Sequence, residues 1–301
     1  MSKITVLWDV MLDKFTYGSV KRLNPEAPVP LINIDREEYK LGGAANVAAN
    51  IASLSGGVSL VWAIGDDING RIFQDLCVDN GIQFQPIVSS CPTITKQRFI
   101  ETTYEQQLLR VDHEQRVQLG LQEESKMVRA VESLNPSLIV VSDYNKGIMT
   151  QNLIGSFKDR LNTVLVDGKP ANIQLFRWVY LIKPNFKEFC EMIGKKIDNT
   201  DAEIEKYGKK FAEDFWSNLV VTRWSKWATL ITKTWEVHHL HTQAQQVFDV
   251  TWAGDTFLAT IAWALENWHT LIDAVKLGNK ASGIVVGKVG TAVVSREELG
   301  V

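Results

Sequence analysis

An α/β fold with a doubly wound, mostly parallel sheet flanked by helices is what this 301-residue sequence predicts. Short runs rich in Val, Ile and Leu alternate with segments of helical period, the pattern of buried parallel strands joined by crossover helices. The alternation persists over most of the chain, which favours a wound sheet over a sandwich or a bundle. No internal repeat and no Pro-, Gly- or Ser-rich linker interrupts it, so one domain over residues 1–301 with a small β-strand lid is expected rather than two independent domains.

Strands are expected at 4–7, 58–63, 138–142, 164–166, 179–182 and 219–222, each a short apolar run. Between the first two lies GGAANVAANIASL, where Ala44, Val47, Ala48, Ile51 and Leu54 recur at helical spacing and make one apolar face. Two segments break the rhythm. The stretch from Phe15 to Tyr39 is polar and carries PEAPVP, while 94–112 reads as two strands around a polar turn. Together, at about 14–40 and 93–112, they are expected to form the lid beside the main sheet. Thr200 with Glu203 reads as a capping box opening a helix through Phe215. From Ala228 to His241 the pattern becomes a hairpin at the sheet edge.

Composition narrows the classes of function. Apolar residues are 45% and charged residues 22%, so the chain is neither disordered nor fibrous. A net charge of -3 lacks the basic footprint of a nucleic-acid binder. Cys77, Cys91 and Cys190 are scattered, without the pairing of a disulfide framework or a zinc site, and fit a reducing compartment, the cytoplasm. The opening MSKITVLWDV lacks the form of a signal peptide, and no apolar stretch approaches the ~18 residues of a membrane span. The histidines at 113, 238, 239, 241 and 269 have no telling carboxylate partner in sequence and read as structural.

The sharpest motif is Asp249-Val-Thr-Trp-Ala-Gly-Asp-Thr256, followed by the apolar helix FLATIAWAL. A helix N-terminus offers unpaired N–H groups and the positive end of the dipole, which suits an anion. Asp255 in that turn is placed to act as a base on a hydroxyl; taken alone the segment would be a cap more often than a catalyst.

Its company decides. Gly42-Gly43-Ala-Ala-Asn46 and D-V-T-x-A-G-D-T, about two hundred residues apart, resemble the two signatures of the ribokinase-like (PfkB) carbohydrate kinases. More narrowly, WDVMLD (8–13), NPEAPVP (24–30), GGAANVAANIASL, PTITKQR (92–98), QQLLRVD (106–112), SDYNKG (142–147) and VVGKVGT (285–291) are similar to the D-glycero-D-manno-heptose-7-phosphate kinase branch. The seven keep their order along nearly the whole chain.

The resemblance implies an ATP-dependent kinase that phosphorylates the anomeric hydroxyl of heptose 7-phosphate, with Asp255 as base and the amides of Trp252, Ala253 and Gly254 as anion hole. It implies sugar contacts from Asp9, Asp13 and Asn46, with Gly42 and Gly43 admitting the sugar to the backbone. Lys96, Arg98 and Arg110 on the lid supply cations for a sugar phosphate. Asp143 and Lys146 follow a buried strand; Lys146 either approaches a phosphate or pairs with Asp143. Asn185 and Glu188 match a pattern that organises Mg²⁺ through water around the nucleotide phosphates, Asn185 serving also as a cap. Thr222 and Asn279 match nucleotide contacts, and Asp249 with the Thr251 carbonyl a loop for a monovalent cation such as K⁺. The implied partners are a small sugar phosphate, ATP and a second copy through the lid. A fused nucleotidyltransferase is not expected, since the chain ends soon after the last kinase motif and has no H-x-G-H.

Tryptophan is the anomaly, at ten against six tyrosines. Trp8, Trp62, Trp224, Trp227, Trp252 and Trp268 stand where the resembling family has glycine, as do Trp178 and Trp235; Trp263 reads as core and Trp216 is open. A bulky residue at so many tight turns would cost on the order of 1–3 kcal/mol each against a total stability of about 5–15 kcal/mol. The expectation is a gene that uses UGA for glycine, rendered with UGA as tryptophan. Trp252 raises a competing expectation: its indole crowds the anion hole, giving a catalytically impaired sugar-binding relative. Another sugar kinase on the same fold is the remaining alternative.

Overall fold

The computed structural model describes residues 3–116, 119–147, 150–223, 228–240, 252–288 and 293–301. In chain order the first half runs β1 (Ile4–Leu7), β2 (Val10–Leu23), β3 (Pro30–Gly43), α1 (Ala44–Ser55), β4 (Val58–Gly65), α2 (Ile68–Asp79), β5 (Ile82–Ser89), β6 (Thr95–Glu101), β7 (Gln106–His113), α3 (Leu121–Leu134) and β8 (Leu138–Ser142). The second half adds α4 (Gln151–Gly155), β9 (Val164–Asp167), β10 (Leu181–Ile182), α5 (Phe186–Met192), α6 (Asp201–Phe215), β11 (Asn218–Thr222), β12 (Ala228–Ile231), β13 (Val237–Leu240), α7 (Ala253–Glu266), α8 (Leu271–Val285) and α9 (Arg296–Leu299).

Nine strands form one sheet in the order β13-β12-β11-β10-β9-β8-β1-β4-β5. From β5 to β11 every pairing is parallel; β12 and β13 close the edge as an antiparallel hairpin. The fold is a doubly wound, mostly parallel α/β sheet, as the apolar runs predicted. β1, β4 and β8 are buried from end to end, because helices cover both faces of a parallel sheet. The chain winds outward from β1 through β4 to β5, then returns to pair β8 against the other side of β1. That reversal is a topological switch point, and ligands of open α/β sheets bind beyond the strand C-termini there.

A second sheet, ordered β3-β2-β6-β7, grows out of this point. Only Trp8 and Asp9 separate β1 from β2. β2 and β3 run 14 residues each as an antiparallel pair that returns at Val10↔Gly43, directly into α1. The polar stretch from 15 to 39 is therefore two long strands, as a β-strand lid requires, although its charge pattern conceals their bounds: β3 is exposed or half-buried until its last three residues, and cross-strand partners rather than burial hold it. The expected capping box at Thr200 is half formed, with the Thr200 hydroxyl accepting from the Glu203 N–H and no reciprocal bond.

Two glycines do different work at positive φ. At Gly43 (φ 59) an added Cβ would meet the Asp9 carbonyl oxygen at 2.3 Å, while at Gly56 (φ 77), the cap of α1, it would meet nothing within 4 Å. Gly56→Ala is expected to lose about 1–2 kcal/mol, the left-handed backbone alone. Gly43→Ala adds the clash and is expected to lose measurably more in denaturant unfolding; equal losses would show that the contact with Asp9 relaxes freely.

Candidate active site

Five strand ends converge. Asp9 follows β1, Asp143 and Tyr144 follow β8, Asp167 ends β9, Lys183 follows β10, and Thr222 ends β11. The first turn of α7 points its free amides at them and contributes Asp255.

Asp255 is buried, and its two oxygens are held from two sides. Asn46 of α1 donates from Nδ2 to Oδ2 at 2.8 Å, and the Tyr144 hydroxyl donates to Oδ1 at 3.0 Å. Asn46 is itself fixed: Asn50 donates to its backbone carbonyl at 2.9 Å, and the Thr256 hydroxyl donates to the Asn50 side-chain oxygen Oδ1 at 3.0 Å. Burial pushes the Asp255 carboxyl up to about 6, opposed by the Asn46 and Tyr144 hydrogen bonds; Asp167 adds to the rise and Lys183 opposes it. A carboxylate in this range is charged at neutral pH yet basic enough to take a proton.

Beside it lie two more buried carboxylates. Asp9 accepts the Tyr144 and Lys146 backbone N–H groups on Oδ2, at 2.7 and 3.0 Å, and burial lifts it to about 7. Asp13 pairs with Arg98 across the lid sheet, yet burial still raises its carboxyl against that cation. Asp9 Oδ1 and Asp13 Oδ2 are buried without a hydrogen-bond partner among the described residues. Such oxygens are costly unless a ligand hydroxyl meets them. Gly42 leaves room for Asp13, since an added Cβ would sit 2.2 Å from Oδ2.

Cations from both sheets gather near this centre. On the lid, Lys96 lies 5.8 Å from the Tyr144 ring, and burial lowers its pKa. Arg98 lies against the Phe15 and Trp252 rings. Below α7, Lys183 is buried, pairs with Asp167 at 2.8 Å and lies against Gly254, 3.6 Å from where a Cβ would be. Lys169 pairs with Glu188 at 2.5 Å. Asn185 and Glu188 exchange side-chain and backbone hydrogen bonds at the start of α5, so the capping role predicted for Asn185 is present. Thr222 bridges to Asn185, and Asn279 is buried on α8.

Several sequence-derived residues stand otherwise than anticipated. Lys146 pairs not with Asp143 but with Glu114, at 2.6 Å. Asp143 spends both oxygens on the Asn145 and Lys169 amides and the Asn172 side chain, a structural clasp. Arg110 is half-exposed and pairs with Asp112. Trp252 has an unstrained backbone, φ -105, and its indole packs beside the site. Ala253 and Gly254 occupy the first turn of α7. Asp249 and Thr251 lie outside the described residues, as do Trp224 and Trp227. Among the described residues no His, Cys, Asp and Glu cluster preassembles a metal site, and no helix is long and apolar enough to cross a membrane.

Tyr144, Asp167 and Lys183 went unremarked in the sequence. Tyr144 sits inside SDYNKG and Lys183 directly precedes Pro184-Asn185, so the rule that strand C-termini bear ligands would have found them.

Comparison with known proteins agrees with this geometry. The family described as pfkB family carbohydrate kinase matches residues 1–298. The bifunctional protein HldE of Haemophilus influenzae (strain PittEE) is 39% identical over 99% of this chain, and that of Paramagnetospirillum magneticum 37% identical over 97%. This chain spans 63% and 61% of their lengths. Among solved structures, phosphofructokinase-2 from Escherichia coli in complex with potassium superposes with a TM-score of 0.84 at 16% identity, covering 100% of this chain and 97% of that one. Ribokinase from Thermotoga maritima gives 0.76 at 22% identity, covering 99% and 97%. At these identities the likeness concerns the fold.

Proposed function

Because the chain belongs to the pfkB family of carbohydrate kinases, we propose that it transfers the γ-phosphoryl group of ATP to the anomeric hydroxyl of D-glycero-D-manno-heptose 7-phosphate, forming the 1,7-bisphosphate, a precursor of ADP-heptose and the lipopolysaccharide core. The observation that carries the reaction type is the buried Asp255 carboxylate, gripped by Asn46 and Tyr144 in the first turn of α7. The choice of sugar rests on the seven motifs shared with the heptose-7-phosphate kinase branch and on the 37–39% identity to HldE proteins.

In this reading Asp9 Oδ1 and Asp13 Oδ2 take sugar hydroxyls, and Lys96 and Arg98 face the 7-phosphate. Asp255 accepts the hydroxyl proton as the sugar oxygen attacks the γ-phosphorus, and ADP leaves. The amides of 252–255 and the Lys183 ammonium neutralise charge on the phosphoryl oxygens, positioning and electrostatics being most of what phosphoryl transfer requires. Glu188, with an oxygen-only donor set suited to a hard cation, would hold Mg²⁺ through water, which supplies further neutralisation at the phosphates. A K⁺ ion at Asp249 and Thr251 and a homodimer through the lid, whose strands expose Ile34, Leu108 and Leu109, complete the proposal.

A second reading, an impaired sugar-binding relative, is favoured by one observation: the Trp252 indole packs where the anion hole opens, with Arg98 5.7 Å from its ring. Coupled ATP-consumption assays on heptose 7-phosphate, fructose 6-phosphate and ribose, run on the chain as written and on Trp252→Gly, separate the readings. Turnover highest on the heptose is expected, with Asp255→Asn losing about 10²- to 10⁴-fold while still binding ATP. Sugar binding without ATP consumption in either form would favour the second reading, and near-normal turnover in Asp255→Asn would remove it as the base.

A further inference from the structure

We propose that Tyr144 is the positioning residue of the Asp255 base and ties it to the sugar-binding carboxylate Asp9; this rests on the kinase reading above. One residue touches both groups. Its hydroxyl donates to Asp255 Oδ1 at 3.0 Å, and its backbone N–H donates to Asp9 Oδ2 at 2.7 Å. Two ammonium groups lie near the ring, Lys96 from the lid at 5.8 Å and Lys169, the partner of Glu188, at 5.5 Å. Burial and the Asp255, Asp167 and Asp13 charges hold the phenol well above its ordinary pKa, so it stays a donor. With Asn46 on the other oxygen, the carboxylate cannot rotate, and its remaining lone pairs face the incoming hydroxyl in one orientation.

The groups facing Asp255 are Asn46, Tyr144, Asp167 and Lys183, and Tyr144→Phe removes one that favours the charged form. In Tyr144→Phe, kcat is expected to fall about 3- to 10-fold with little change in sugar KM, the worth of one hydrogen bond. The acid limb of kcat/KM moves to higher pH. A ¹³C-carboxyl titration of Asp255, which needs no turnover, shows the same displacement above the parent value. An unchanged titration overturns the positioning role, whereas a parent inactive on every sugar counts against the kinase reading and not against the hold on Asp255.

A separate observation supports a second inference. Trp8 (φ 89), Trp178 (φ 67), Trp216 (φ 53), Trp235 (φ 68) and Trp268 (φ 66) all lie in the left-handed region that glycine favours. Each sits at a junction: after β1, before β10, at the cap of α6, in the β12–β13 turn, and just beyond α7. Trp8 and Trp62 meet in the core with centroids 6.1 Å apart, and neither buried indole N–H has a partner among the described residues. Trp263 shares the unpartnered indole N–H but lies within α7, outside the left-handed region, with Arg296 over its ring. We infer that the working protein carries glycine at 8, 62, 178, 216, 235 and 268, its gene decoding UGA as glycine, and tryptophan at 263.

The codons and the tryptic peptides of the protein made by its own cell test this. UGA codons and glycine-containing peptides at the six positions, with UGG at 263, are expected. UGG at codons 8, 178, 216, 235 and 268, or tryptophan in those peptides, overturns it. As a check on the physics, replacing the five left-handed tryptophans with glycine is expected to raise the unfolding midpoint; a lower midpoint contradicts the claim that these positions require glycine.

Discussion

A carboxylate buried under the first turn of α7 is the constraint on which the rest of the site depends. Taking Asp255 out of water is unfavourable, and the molecule offsets this with donors from residues 209 and 111 positions away in sequence. Asn46 comes from α1, which packs along α7, and Tyr144 from the end of β8 at the switch point of the sheet. Those donors reach Asp255 only if the lid strands return the chain to Gly43 at the right place and if β8 crosses back beside β1. The sheet order, the Gly43 contact with Asp9 and the α1–α7 packing are thus conditions for one basic oxygen.

The same arrangement sorts the surrounding charges. Two of the cations, Lys96 and Arg98, come from β6 of the lid, and two, Lys169 and Lys183, follow β9 and β10 of the main sheet. Cations drawn from both sheets around one base suit a reaction that moves an anionic group. The unpartnered oxygens of Asp9 and Asp13 are buried, where a hydrogen-bond donor such as a ligand hydroxyl would offset their desolvation.

Much of this was legible in the sequence where local chemistry speaks alone. Apolar runs located β1, β8 and β11 to within a residue, and small residues ahead of an apolar helix located Asp255. Elements stabilised by partners rather than by composition were hidden. The stretch over 14–40 reads as part of the lid, but its division into two long strands is not legible, because β2 and β3 are held by pairing with each other and with β6. β5 was passed over because its exposed and buried residues do not alternate cleanly. Cationic side chains were the least legible, since motif membership does not say which carboxylate a flexible lysine meets; Lys146 turned to Glu114. Tyr144 lies within a motif, yet nothing local marks its role, because a tyrosine shows that role only when its hydroxyl meets another chain segment, here Asp255. Conversely, the tryptophan turns were visible twice, as turn positions in the sequence and as left-handed backbone in the fold.

The most direct test of the account is a crystal structure with heptose 7-phosphate and a non-hydrolysable ATP analogue. It should place the anomeric hydroxyl within roughly 2.6–3.2 Å of Asp255, in line with the γ-phosphorus, with other sugar hydroxyls on Asp9 Oδ1 and Asp13 Oδ2. A sugar bound with its anomeric hydroxyl turned away from Asp255, or with its hydroxyls leaving both of those oxygens unmet, would contradict it.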